Sequence, residues 1–127
     1  MRKVLLLMMF SLAIFAKDLT MEIIKEVGSL PTISIEDSSQ MFSDNLNRKI
    51  FKMLIADFKV TSHFRVDENY NREDFDSSFD VSKYKNSDLI MRYELSFDFF
   101  GNLISKVKLY DAKLSQIAFQ KYIRLKM

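Results

Sequence analysis

The stretch that decides the fold runs from Leu89 to Leu125, LIMRYELSFDFFGNLISKVKLYDAKLSQIAFQKYIRL. Leu89, Met91, Tyr93, Leu95 and Phe97 alternate with Ile90, Arg92, Glu94 and Ser96. Side chains on a strand point alternately to its two sides, so this is the pattern of a strand with one apolar face. Asp98-Phe99-Phe100-Gly101-Asn102 reads as a turn. Leu103, Val107 and Leu109 then share a parity, with Lys106 and Lys108 on the other. Asp111 to Ser115 makes a second turn. Ile117, Phe119, Ile123 and Leu125 follow on one parity, opposed by Gln116, Gln120 and Arg124. Three amphipathic strands on short turns predict an antiparallel meander with one dry face and one wet face.

A dry face needs a cover, and the chain supplies one upstream. Ser43 is a good helix N-cap, and Asp44 places negative charge in the first turn, where the helix dipole favours it. Phe42, Leu46, Ile50, Met53, Leu54 and Phe58 form a stripe at helical spacing, widened by Phe51 and Ile55. Asn45, Arg48, Lys49 and Lys52 fill the opposite side. The spacing predicts an amphipathic helix ending near Phe58 and packed on the sheet. Before it, Thr32 to Glu36 reads as a short strand with Ile33 and Ile35 facing one way. Earlier still, Thr20 to Val27, TMEIIKEV, reads as a half-buried strand, closed by Gly28-Ser29-Leu30-Pro31. A short strand is expected to end at Val66, a polar loop to cover Asp67 to Ser78, and a shorter helix to fall within Phe79 to Lys85. The fold class is therefore α+β: a small mixed sheet with a C-terminal antiparallel meander, packed against one long amphipathic helix and a shorter one.

The chain has 127 residues, enough for one domain. It opens with Met1-Arg2-Lys3, then an apolar run from Val4 to Phe15, and polar residues begin at Lys17. A positive start, an apolar core of about a dozen residues and a small residue at the end predict a secretory signal peptide over residues 1–16. A membrane anchor would need roughly 20 apolar residues. Cleavage after Ala16 keeps the apolar core whole; cleavage after Ala13 offers smaller side chains before the cut. Residues 17–127 form the expected domain. There is no cysteine, so neither a disulfide nor a thioether-linked lipid is available.

The full chain carries 19 Lys+Arg and 17 Asp+Glu. Arg2 and Lys3 leave with the signal, and the remainder is neutral. Nucleic-acid binding, which wants a basic surplus, is not expected. The chemistry-bearing inventory is poor. His63 is the only histidine and has no cysteine to pair with, so a Cys–His nucleophile and a multi-histidine metal site are out. Asp67 to Glu73 starts like a calcium loop, but its sixth position is Arg72 rather than Gly and its twelfth is Ser78 rather than Glu. Glu73 and Asp76 could imitate a glycosidase pair without any readable cleft. Lys106, Lys108, Lys121, Arg124 and Lys126 are expected along the wet face or end of the last strands, as solvated cations or as a weak contact for anionic headgroups. No enzyme, cofactor or metal is expected.

Three passages together resemble a known family. DLTMEIIKEVGSLPTISIED (18–37) is similar to the opening of the TolB N-terminal domain, where a strand of the type TIEIVK precedes a Gly/Leu/Pro turn and a second strand. TSHFRV (61–66) resembles the family's SGYFRV at the helix end, with His63 at a position often filled by Gly. KNSDLIMRYELSFDFFGNLISKVKLYDAKLSQIAFQKYI (85–123) resembles its following strands, Leu109-Tyr110-Asp111 being the most recognisable piece. The resemblance implies a periplasmic, Gram-negative protein of the Tol-Pal system, which maintains outer-membrane integrity and helps constrict the envelope at cell division. In that family a β-propeller binds the lipoprotein Pal, and the first mature segment binds the inner-membrane protein TolA. The matching segment here is Lys17, Asp18, Leu19, Thr20, Met21, Glu22, Ile23 and Ile24. The 127 residues contain no propeller stretch and no helical segment closing the domain, so any contact with Pal is expected to be indirect. The alternative expectation is an envelope-assembly factor of similar fold that regulates a cell-wall synthase; a small hydrolase is disfavoured by the inventory above.

Overall fold

The computed structural model describes residues 30–84 and 86–125. The expected signal peptide, the Thr20–Val27 strand and the Lys17–Ile24 segment lie outside the described residues. The elements are β1 (Thr32–Asp37), α1 (Asp44–Thr61), β2 (Arg65–Val66), β3 (Asn71–Arg72), a one-turn 3₁₀ helix (Val81–Lys83), β4 (Leu89–Phe97), β5 (Leu103–Asp111) and β6 (Gln116–Leu125). The sheet order is β2-β1-β4-β5-β6, with β3 also paired to β1. β1 runs parallel to β2, β3 and β4, while β4, β5 and β6 form the antiparallel meander. The mixed α+β architecture is as the pattern predicts. The shorter helix reduces to the Val81–Lys83 turn, which Asp80 caps by accepting from the Ser82 N–H. Sixteen residues, Glu73 to Asp88, cross from β3 back to β4, and of the described ones only Val81–Lys83 are helical.

α1 starts where its capping chemistry says. Ser43 is extended and its hydroxyl accepts from the Leu46 N–H at 3.2 Å. The helix continues past Phe58 to Thr61, and Ser62 closes it in the left-handed region at φ 57°. Its buried face is Asn47, Ile50, Phe51, Leu54, Ile55 and Phe58. Met53 is off that face and 41% exposed, a correction to the stripe read from the sequence. At 100° per residue Met53 lies well round the helix from the centre of the buried arc, a place that Asn47 and Phe51 define. The face packs on Ile33, Ile35, Leu89, Met91, Tyr93, Leu95, Leu103, Val107 and Leu109, the odd-numbered side of the sheet. Each such side chain contributes roughly 1.5–3 kcal/mol of burial before ordering entropy is set against it.

The other side of the sheet corrects the expectation of a wet face. Ser34, Glu36, Ile90 and Arg92 are at most 1% exposed. The segment from Glu73 to Asp88 folds across them as a strap and buries Phe75 and Tyr84 against β1 and β4. Alternation detects only that the even residues of β1 and β4 are more polar; it does not register that a loop returns to cover them.

A second correction concerns β6. A β-bulge breaks its register: Leu109 faces Phe119, but Tyr110 faces Ile117, leaving Ala118 as the extra residue. Ile117 is thereby turned to the strap side and is 47% exposed, instead of sharing the core side with Phe119 and Leu125. Lys121, opposite Val107, falls on the helix side, away from Lys106 and Lys108. At the far end the β4–β5 turn is clamped by Asp98, whose carboxylate accepts from the Phe100 and Asn102 N–H groups at 2.9 Å each and from Arg124 of β6. Gly101 takes φ 77° there, and Phe99 and Phe100 stand fully in solvent at the tip.

Candidate functional site

Three side-chain assemblies stand out from the described residues. The first lies under the strap. Arg92 donates from Nε to Glu36 Oε1 at 2.9 Å, and its Nη1 donates to the carbonyls of Phe75, at 3.2 Å, and Ser77. Tyr84 donates its hydroxyl to Glu36 Oε2 at 2.7 Å. The Arg92 guanidinium lies 4.0 Å from the Phe79 ring centre, and Phe79 stacks on Tyr110 at 4.6 Å. Lys108 donates to the Phe75 carbonyl at 3.0 Å. Burial, reinforced by the hydrogen bond to Glu36, pushes the Tyr84 phenol far above its ordinary value, so it is a permanent donor. Both members of the ion pair have partners on several sides, which a buried charge requires. No nucleophile or water-facing base belongs to this assembly, and its chemistry is that of a latch.

The second assembly ends β1. Asp37, with a fully buried side chain, accepts from the Tyr70 hydroxyl at 2.7 Å, from Arg72 Nη1 at 3.2 Å and from the Ser39 N–H at 2.8 Å. Arg72 Nη1 also donates to the Tyr70 oxygen at 3.0 Å. Burial, together with the Asp37 hydrogen bond, raises the Tyr70 pKa. The cluster ties β3 to the end of β1 and fixes the Tyr70 ring.

The third is a cleft of about 450 Å³ on the flank of α1, lined by Arg48, Phe51, Lys52, Ile55, Ala56, Lys59, Glu68 and Tyr70. Phe51 and Tyr70 meet edge to face at 4.9 Å, and Arg48 lies 4.8 Å from the Tyr70 ring centre. Lys59 and Glu68 pair across it at 2.7 Å.

The residues singled out by sequence fall as follows. Lys17, Asp18, Leu19, Thr20, Met21, Glu22, Ile23 and Ile24 lie outside the described residues. His63 is a half-exposed residue in the joint between α1 and β2. The Asp67–Glu73 oxygens do not converge: Asp67 accepts from Ser34 and Asn69, Glu68 pairs with Lys59, and Glu73 pairs with Lys83 at 2.8 Å. The hydrogen bond from Lys83 lowers the Glu73 pKa. Among the described residues no group of three or more His, Cys, Asp or Glu could hold a metal ion. Glu73 and Asp76 are engaged separately, Asp76 lying 3.5 Å from Lys108. Lys106 lies 3.7 Å from Glu94, and Arg124 is bound to Asp98, so these cations serve the fold instead of forming one open basic face. Lys126 lies outside the described residues. Sequence reading missed the Glu36–Arg92 latch. What signal there is consists of an acid in TISIED and a base in LIMRYEL, each on the even parity of its strand, opposite the apolar odd positions. Among the described residues no helix is long and apolar enough to cross a membrane.

A parallel β1–α1–β2 unit followed by an antiparallel meander defines a small α+β domain with one mixed sheet. The same fold occurs in the LpoB C-terminal domain from Escherichia coli, with a TM-score of 0.52 and 8% identity over 85% of this chain and 95% of that one. No protein-family model matches the chain. By sequence it is related to the Tol-Pal system protein TolB: 33% identical over 112 residues to that of Wolinella succinogenes and 29% over 117 residues to that of Helicobacter hepaticus. These alignments cover 86% and 92% of this chain but 26% and 27% of the relatives, so the chain spans about a quarter of their length. The resemblance read from the sequence is thus shown: this chain is homologous to a domain-sized part of TolB.

Proposed function

We propose that the chain is a non-enzymatic interaction domain of the TolB type that works in the periplasm, in Tol-Pal-dependent maintenance and constriction of the outer membrane. The observation that carries this reading is the similarity to TolB along nearly the whole chain. Its partner on this reading is a TolA-like inner-membrane protein, engaged by Lys17 to Ile24. That segment has alternating side chains, with Met21 and Ile23 on one parity and Glu22 on the other. An extended segment of this kind binds by adding a strand to a partner's sheet edge, with backbone hydrogen bonds for affinity and side chains for specificity. Pal enters only indirectly, through whatever else TolA gathers.

The test is a pulldown with the exported protein from which Lys17–Glu22 has been deleted. Loss of TolA capture, with the circular-dichroism spectrum and melting transition retained, is the expected result. Undiminished capture overturns the segment's role. Co-purification with a cell-wall synthase in place of Tol proteins replaces the reading by that of a synthase regulator.

A further inference from the structure

We infer that the cleft between the flank of α1 and the Glu68–Tyr70 segment is a second docking site, made for an extended acidic peptide of a partner protein. It is separate from Lys17–Ile24 and does not depend on the role proposed for them. The floor is aromatic and aliphatic, from Phe51, Ile55 and Tyr70. Its volume of about 450 Å³ falls in the range of sites that accept ligand side chains. Tyr70 is a preset platform: Asp37 and Arg72 hold its hydroxyl, Phe51 meets its ring edge to face, and Arg48 lies over the ring. Aromatic anchors held rigid in this way lose little entropy when a partner lands on them.

Charge decides the occupant. Arg48, Lys52 and Lys59 project within about 40° of arc on the helix, at 100° per residue. The only acid in the lining is Glu68, which is taken by Lys59. Arg48 is held by Asp44 at 3.0 Å, on an exposed pair of little strength. The cations are strung along the groove instead of converging on a point. Arg48 and Lys52 are about 6 Å apart along the axis. That matches the roughly 6–7 Å between alternate carboxylates on an extended chain and fits a phosphate poorly, which needs donors gathered around one centre. Apolar side chains on the other parity would meet Ile55 and Tyr70.

The experiment titrates the full chain against a fluorescein-labelled octapeptide in which Glu and Val alternate, read by fluorescence anisotropy. A matched peptide with Gln for Glu and phosphatidylglycerol vesicles serve as competing probes. The expected result is saturable binding of the Glu peptide, weakened at least tenfold by Lys52→Glu and by raised salt. Lys121→Glu makes the same charge change on β6, at the edge of the sheet away from β1 and β3 and outside the lining, and should leave binding within about twofold, since exposed charges more than a Debye length apart are largely screened. Equal binding of the Glu and Gln peptides overturns the inference. So does an equal loss in Lys121→Glu and Lys52→Glu, or Lys52-dependent binding of vesicles without binding of the peptide. All variants keep residues 17–24, so a negative outcome here leaves the TolA reading standing.

Discussion

The two sides of the sheet are closed by opposite means. On the odd-numbered side, eighteen residues of helix cover β1, β4 and β5 with interlocking aliphatic and aromatic side chains. On the even-numbered side a strap with one helical turn covers β1 and β4 through a buried Glu36–Arg92 pair, the Tyr84 hydroxyl and two backbone carbonyls. Apolar burial is non-directional and tolerates repacking, whereas a buried ion pair is unforgiving of losing one member. The helix side therefore supplies stability, and the strap side selects where one loop must lie.

The sharpest way to break this comparison is to strand one charge. Arg92→Leu leaves Glu36 buried without its base and should cost about 3–5 kcal/mol in urea unfolding. Glu36→Leu combined with Arg92→Leu should recover part of that loss, because no charge is then left unpaired although the Tyr84 hydroxyl and the Phe75 and Ser77 carbonyls lose the hydrogen bonds they make to the pair. A single substitution costing under about 1 kcal/mol would mean the strap side is as wet as alternation implies. On the helix side, Leu54→Ala should cost about 2–5 kcal/mol through the transfer and cavity terms, lowering the urea midpoint without altering the slope.

Acid should separate the sides further. Desolvation, the largest single influence on Asp98, pushes its pKa up, but the Asn102 N–H, the Arg124 and Asn102 side chains and the Phe100 N–H together bring it down to about 2. Its folded pKa is thus below the unfolded value of 3.8. The stabilisation is full above the unfolded value and is lost as pH falls from about 4 through about 2. Asp98→Asn should flatten that limb of the stability profile, measured by thermal melts across the range. The smallest effect is expected at the helix end. Ser62 sits at φ 57°, where a side chain is strained and glycine is not. Ser62→Gly should be stabilising by about 0.5 kcal/mol, after the greater unfolded-state freedom of glycine is subtracted.

What was legible in the sequence follows the same division. The helix stripe, β1 and the three meander strands were readable because burial on one side imposes a period, 3.6 or 2, on consecutive residues. Met53 was misplaced because a six-residue stripe leaves the edge of the buried arc undefined. The strap was not readable, since its contacts join residues 17 to 48 positions apart: Tyr84 to Glu36, Phe75 to Arg92, Lys108 to Phe75. Arg92 and Glu36 therefore looked like solvated residues. Ile117 was misread because one extra residue, Ala118, reverses parity without leaving a mark in composition. The TolB relationship was visible because it is carried by the order of strands and turns, but the α1 cleft needs Tyr70 brought back against residues 48–59, a placement that only the folded chain shows.

The clamp on the β4–β5 turn has a consequence for handling this molecule. Asp98 and Arg124 hold the turn's shape, and the Phe99 and Phe100 rings stand out from it into solvent. Each molecule then carries a fixed greasy point into solution, on a chain whose charges nearly cancel beyond its first three residues. Among the described residues these are the two most exposed of the large hydrophobic side chains, which makes the turn a ready first contact between molecules at high concentration.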